Sequence, residues 1–150
     1  GRTRSVVTPS LRVVLDPNVL VSGAITPRGA GARILALIDS GDLVSIASPQ
    51  LVAELSAVLR RPKFRRYLDL EDVGEFMDEF VTLSEPHDDP SDPAPLSPDS
   101  KDDYLIALAL DSRADALVSG DSDLHGLDVL GLRVFTPREL LDRYLLDQDV

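Results

Sequence analysis

Short apolar runs alternate with amphipathic stretches along most of the chain. Leu11-Arg12-Val13-Val14-Leu15 is β-branched and stops at Asp16-Pro17-Asn18, which predicts a buried strand followed by a loop. Gly29-Ala30-Gly31 opens an apolar-periodic stretch that runs through Ile38 and closes at Ser40-Gly41, a helix. Leu43-Val44-Ser45-Ile46-Ala47 predicts a second strand. Ser48-Pro49 caps the next helix, which runs to about Leu59 and breaks at Pro62. Residues 64–68 and 71–84 carry helical spacing. Five of the eleven prolines fall in 85–100, which predicts a connector within one domain. Asp102 to Ser112 predicts a helix, Ala116-Leu117-Val118-Ser119 a strand ending at Gly120-Asp121, and Leu132-Arg133-Val134-Phe135 a further strand. Thr136-Pro137 opens the last helix, with Glu139 at capping-box spacing from Thr136. Strands alternating with helices predict an α/β fold, a three-layer α/β/α sandwich around a central parallel sheet.

Composition narrows the class. The 150 residues, 43% hydrophobic and 27% charged, suit one domain, expected over residues 11–147. The start reads as a tag remnant and loose arm over residues 1–10, because Met77 is the only methionine. Cysteine is absent, which removes disulfides, zinc–thiolate sites and thiol catalysis. No apolar run reaches a membrane span and no signal-peptide core follows the basic start, so a cytoplasmic location without membrane contact is expected. Pro27-Arg28-Gly29-Ala30-Gly31 has neither a Walker lysine nor full dinucleotide spacing, so neither ATP nor NAD is expected.

Net charge is −11, which works against a polyanionic partner unless the acids serve a metal. Five of the 15 basic residues cluster as Arg60, Arg61, Lys63, Arg65 and Arg66, a candidate phosphate-binding segment or else a solvated helix end. His87 and His125 are isolated and read as surface residues.

The candidate chemistry lies in carboxylates. Asp16 and Asp121 each follow an apolar strand, and ligands in parallel sheets sit at the carboxyl ends of strands. Asp123 comes two residues after Asp121. Glu54 lies about 100° from the centre of the stripe made by Leu51, Val52, Leu55, Val58 and Leu59, so it flanks the buried face. The apolar residues behind Asp102 and Asp103 point within about 15° of Asp102 and more than about 100° from Asp103. Asp102 is therefore expected at a core position, where a charge needs a partner or a metal, and Asp103 reads as a helix N-terminal acid. Four carboxylates converging at about 5 Å would repel by roughly 3 kcal/mol per pair at an effective dielectric of about 20. Protons or a cation must offset that, and oxygen donors without cysteine or clustered histidine select Mg²⁺ or Mn²⁺.

With LDPNVLVSG (15–23), VAELSAVL (52–59), KDDYLIALAL (101–110) and LVSGDSDL (117–124) in this order, the chain from Leu11 to Tyr144 resembles a PIN domain, closest to the VapC-like toxins of toxin–antitoxin systems. The resemblance implies a metal-dependent ribonuclease with an acidic quartet of Asp16, Glu54, Asp102 and Asp121. Asp16, Asp102, Asp121 and Asp123 would hold metal. Asn18 would organise the first loop, Ser119 would stand where many relatives have Thr, and Asp99 and Asp103 would be auxiliaries. An RNA substrate, a cognate antitoxin and a homodimer are implied as partners. Two departures stand out. Pro17 replaces a common hydroxyl residue, and Pro98-Asp99-Ser100 replaces Arg-Asp-Pro.

The expected reaction is endoribonucleolytic hydrolysis by metal-activated water, with Glu54 or Asp102 orienting the water. Two alternatives remain open at this stage. A haloacid-dehalogenase-type phosphatase would use Asp16 as nucleophile, but it wants a second Asp where Asn18 stands, and Lys101 is poorly placed. A non-catalytic interaction module would keep the acidic pocket for stability or for a partner's arginine.

Overall fold

The computed structural model describes residues 10–91, 100–121, 124 and 131–148. Residues 1–9 of the expected arm, Asp99, Asp123 and His125 lie outside the described residues.

Five parallel strands form one sheet in the order β3-β2-β1-β4-β5. They are β1 (Leu11–Leu15), β2 (Leu43–Ala47), β3 (Glu85–Pro86), β4 (Ala116–Val118) and β5 (Arg133–Phe135). Among the described residues six helices connect or follow them: α1 (Pro17–Ile25), α2 (Ala30–Asp39), α3 (Pro49–Leu59), α4 (Leu70–Leu83), α5 (Ser100–Asp111) and α6 (Pro137–Gln148). Val13, Val14 and Leu15 of β1 and all three residues of β4 are buried. A parallel strand buried on both faces reads as a continuous apolar run, which is the pattern of these segments. The three-layer α/β/α sandwich expected from the alternation of strands and helices is the fold observed.

The strand order places the site. The chain winds outward from β1 to β2 and β3, then returns to the other side of β1 for β4 and β5. The order therefore reverses between β1 and β4, paired in the register Leu15↔Val118. In open parallel sheets the crevice at such a reversal, outside the carboxyl ends of the strands, is where ligands bind.

Three local expectations are corrected. Asp16-Pro17-Asn18 begins helix α1, not a loop. Asp16 is its N-cap, Pro17 its first residue, and Asp16 Oδ1 accepts the Asn18 amide at 3.0 Å. Proline suits that position because the missing N–H has no helical partner there. Residues 64–68 do not form a helix. A single 3₁₀ turn, Pro62–Phe64, is followed by turns. The 85–100 connector contains β3, whose Glu85 and Pro86 pair with Ile46 and Ala47 at the sheet edge. An edge strand tolerates proline because one side of its backbone faces no ladder. Arg12 in β1 reaches this edge, its Nε donating to Glu85 Oε1 at 2.9 Å while Nη2 pairs with Oε2.

Helices α1 and α2 meet through glycine. A Cβ on Gly31 would lie 2.7 Å from the Val19 carbonyl oxygen and 2.8 Å from the Gly23 nitrogen. The expected caps hold elsewhere. Ser48 Oγ accepts the Leu51 amide at 3.4 Å. Thr136 and Glu139 form the reciprocal box, with Thr136 N to Glu139 Oε1 at 2.8 Å and Glu139 N to Thr136 Oγ1 at 3.0 Å.

Candidate active site

Asp16 stands where β1 ends. Its amide donates to the Val118 carbonyl at 2.9 Å, continuing the pairing with β4, and its own carbonyl accepts the Val19 amide at 2.9 Å, starting α1. The side chain is 7% exposed. Oδ2 accepts the Ser119 hydroxyl at 2.7 Å, and Ser119 Oγ accepts the Asp121 amide at 3.0 Å. Ser119 is fully buried, so this hydroxyl fixes both strand-end acids without contact with water.

Glu54 comes from the middle of α3 and is half-buried, as the flanking position on its stripe requires. Asp102 comes from the first turn of α5 and is 3% exposed, the core-directed position expected of it. Asp103 was expected to face outward but is only 8% exposed. The packing of α5 on the adjacent strands β1 and β4 covers the face that carries Asp102; the burial of Asp103 is not explained by the helix's own apolar stripe.

These side chains come together. One cavity of about 180 Å³ is lined by Asp16, Asn18, Glu54, Val58, Arg61, Asp102, Leu105 and Asp121. The quartet expected from four separate segments thus shares one concavity at the β1/β4 reversal. Asp103 and Ser119 do not line it; Ser119 acts from beneath, through Asp16. Asn18 is exposed at the cavity edge, and its backbone, held by Asp16, belongs to α1.

The donor set is all oxygen, with four carboxylates and an amide and neither histidine nor cysteine among the lining residues, which fits a hard dication. The spacing is open. Among the described residues no three His, Asp or Glu side chains converge closely enough to hold an ion between them. Mg²⁺ keeps several waters and takes one or two carboxylates together with substrate phosphate oxygens, so an open acidic cavity suits it better than a closed cage would.

The basic cluster divides. Arg61 lines the cavity. Arg65 does not offer its charge outward: its guanidinium donates to the Leu59 carbonyl and, at 3.4 Å, to the Arg61 carbonyl, completing the end of α3. Arg60 Nε donates to Ser56 Oγ at 3.1 Å. Lys63 and Arg66 lie 5.1 Å and 5.6 Å from the ring centres of Phe64 and Tyr67. Of the five residues expected to form one phosphate patch, Arg61 is thus the one that lines the acidic cavity, while Arg65 is engaged at the end of α3.

A polar network that sequence reasoning missed, running from buried Ser48 and Tyr104 to exposed Asp89, ties together the two helices bearing Glu54 and Asp102. Tyr104 of α5 donates to Asp89 Oδ1 at 2.9 Å and its hydroxyl also bonds Ser48 Oγ, the N-cap of α3. Asp89 accepts the Gln50 amide at 3.0 Å. Burial first, and then the nearby Asp89, push the Tyr104 hydroxyl up to about 12, with the Ser48 hydrogen bond opposing them. Burial works against the Asp89 carboxylate, yet the bonds from Gln50, Ser48 and Tyr104 hold it below its ordinary range. A hydroxyl on an otherwise apolar helix face was the available signal for Tyr104; Asp89, inside a proline-rich acidic segment, carried none.

A parallel α/β sandwich with acids at the switch between its first and fourth strands defines a class of acidic-site domains. The chain belongs to the PIN domain family, whose sequence pattern matches residues 12–123. It is 29% identical over 144 residues to uncharacterized protein MJ1680 of Methanocaldococcus jannaschii, covering 89% of this chain and 92% of that protein. Its fold is similar to that of VapBC2 from Rickettsia felis, solved bound to a DNA fragment from their promoter, with a TM-score of 0.58 at 16% identity, covering 84% of this chain and 98% of that one. It is likewise similar to PAE2754 from Pyrobaculum aerophilum, with a TM-score of 0.59 at 15% identity, covering 91% of this chain and 90% of that one. At those identities the structural likeness bears on the fold. Among the described residues no helix is long and apolar enough to cross a membrane.

Proposed function

We propose that this chain is a divalent-metal-dependent endoribonuclease and the toxin member of a toxin–antitoxin pair. The observation that carries the reading is the shared cavity: Asp16, Glu54, Asp102 and Asp121, from the ends of two strands and from two helices, line one space at the switch point of the sheet. Catalytic acids are the strongest reason to gather four carboxylates where a purely structural protein would separate them. Membership of the PIN family supports nuclease chemistry, and the VapBC2 likeness supports an antitoxin partner.

Of Asp16, Asp102, Asp121 and Asp123, one or two would bind Mg²⁺ or Mn²⁺ directly and the others through its water shell, as the open spacing of the described acids requires. When bound, such an ion supplies Lewis acidity toward water and phosphate oxygen. The residues of the chain do the rest. Ser119 and the Asn18 amide occupy the Asp16 carboxylate from two sides and fix its orientation. Glu54, half-buried and lining the same cavity, orients the attacking water and accepts its proton. Val58 and Leu105 supply the apolar part of the cavity lining.

The test compares cleavage of RNA by the parent, Asp16→Asn and Asp121→Asn, each with Mn²⁺, with Mg²⁺ and with chelator. The parent is expected to cut in either metal and both variants to lose at least about a hundredfold, the usual scale for general acid–base and charge contributions. Equal activity in all three proteins would remove the nuclease reading in favour of a non-catalytic interaction module.

A further inference from the structure

Glu54, Val58 and Arg61 are spaced i, i+4 and i+7, so they follow one face of α3 and its continuation. All three line the acidic cavity, and among its described lining residues Arg61 is the one cation. Its backbone is tightly held. The Arg61 amide donates to the Val58 carbonyl at 3.1 Å, and its carbonyl accepts the Phe64 amide at 3.0 Å and the Arg65 guanidinium. Pro62 restricts the preceding residue to extended backbone, and Arg61 has φ −65° and ψ 140°. Among the described residues no ion pair joins Arg61 to Asp16 or Glu54.

A phosphodiester chain approaching four carboxylates meets repulsion from every wall. A guanidinium exposed at the rim counters it with a planar fork that matches two phosphate oxygens, and exposure spares it the cost of full desolvation. The four neighbouring cations are turned to Ser56, Phe64, Tyr67 or the end of α3. We infer that Arg61 is the anchor for the substrate phosphate adjacent to the one hydrolysed. This rests on the nuclease reading and deepens it, singling out one binding residue from an undifferentiated basic segment.

The experiment measures binding of a fluorescein-labelled, mixed-sequence RNA oligonucleotide by anisotropy, with Ca²⁺ and over a salt series, and cleavage of the same RNA with Mn²⁺. The proteins are the parent, Arg61→Gln, Arg61→Lys and Arg33→Gln, the last removing an exposed arginine of α2 away from the cavity. Arg61→Gln is expected to weaken binding about tenfold. Its log–log salt slope should be shallower by roughly 0.7, the single-strand value for one phosphate contact. KM should rise about tenfold while kcat changes by less than about threefold. Arg61→Lys should recover the salt slope without full affinity, because an ammonium lacks the fork. Arg33→Gln should match the parent. Parental affinity and slope in Arg61→Gln would overturn the inference, as would an equal loss in Arg33→Gln. Tighter Mn²⁺ binding by Arg61→Gln with RNA affinity unchanged would also overturn it, because Arg61 would then only offset the carboxylates. A parent that neither binds nor cuts RNA would sink the nuclease reading itself, whereas an active parent matched by Arg61→Gln would sink only this assignment.

Discussion

Ser119 Oγ donates a 2.7 Å hydrogen bond to Asp16 Oδ2 across 103 positions of sequence, and the same oxygen accepts the Asp121 amide at 3.0 Å. One hydroxyl thereby sets the relative placement of the acids that end β1 and follow β4. Ser119→Ala should lower stability to urea by about 1–3 kcal/mol, because a buried carboxylate loses a donor. It should also slow Mn²⁺-dependent RNA cleavage by about tenfold, a loss of about 1.4 kcal/mol of positioning. An unchanged rate in a destabilised variant would show that the hydroxyl serves only the fold.

Metal binding should register as heat stability. At a Mn²⁺ concentration about 100 times the dissociation constant, the parent should gain about 2.7 kcal/mol, read as a rise in Tm that chelator reverses. Asp121→Asn should lose most of the rise. Asp16→Asn should lose it too while keeping α1, because asparagine is as good an N-cap as aspartate and its oxygen can still accept the Asn18 amide. A Tm rise of equal size in all three proteins would place the ion elsewhere.

The hydrogen bonds joining Tyr104, Ser48 and Asp89 predict a base-side loss of stability. Tyr104 has a folded pKa of about 12 against an ordinary 10.0, so the folded chain retains a proton that the unfolded chain releases. The stability it confers is complete below pH 10 and declines as pH rises from 10 to about 12. The opposite sign applies to Glu85, held below its ordinary 4.5 by the Arg12 hydrogen bond despite partial burial. Its contribution is present above pH 4.5 and is lost as pH falls below that value. Urea titrations across pH should show Tyr104→Phe flattening the alkaline limb and Glu85→Gln the acid limb; parent-like slopes in either variant would contradict the assignment.

Two glycine substitutions should move stability in opposite directions. Gly31→Ala places a methyl against the backbone of Val19 and Gly23, atoms that cannot rotate aside, and should cost about 1–3 kcal/mol. Gly74→Ala, within α4 and with nothing within 4 Å of the added Cβ, should gain about 0.5–1 kcal/mol. Urea midpoints at constant m-value decide both.

The contrast between α1 and α3 shows what the sequence could express. Ser48-Pro49 and Asp16-Pro17 are the same signal, a cap followed by proline at the first helical position, and both open helices. Ser48-Pro49 precedes a clear apolar period and is legible. Asp16-Pro17 precedes Val19-Leu20-Val21, an unbroken apolar run, because α1 is covered by both α2 and α3, and its period is hidden. Strand β3 was illegible for another reason: two residues gain their identity only by pairing with β2. At the site, the direction of Asp102 and the flanking position of Glu54 followed from their own helices. The burial of Asp103, the place of Arg61 on the cavity wall and the engagement of Arg65 at the end of α3 did not, since each depends on surroundings that periodicity does not describe.

Asp16 has three duties at once: it caps α1, extends the β1–β4 pairing and accepts Ser119. Selection for folding alone would therefore preserve this aspartate whatever the cavity does. Glu54 carries no comparable backbone burden among the described residues, so its retention is the stricter sign of what the cavity itself requires.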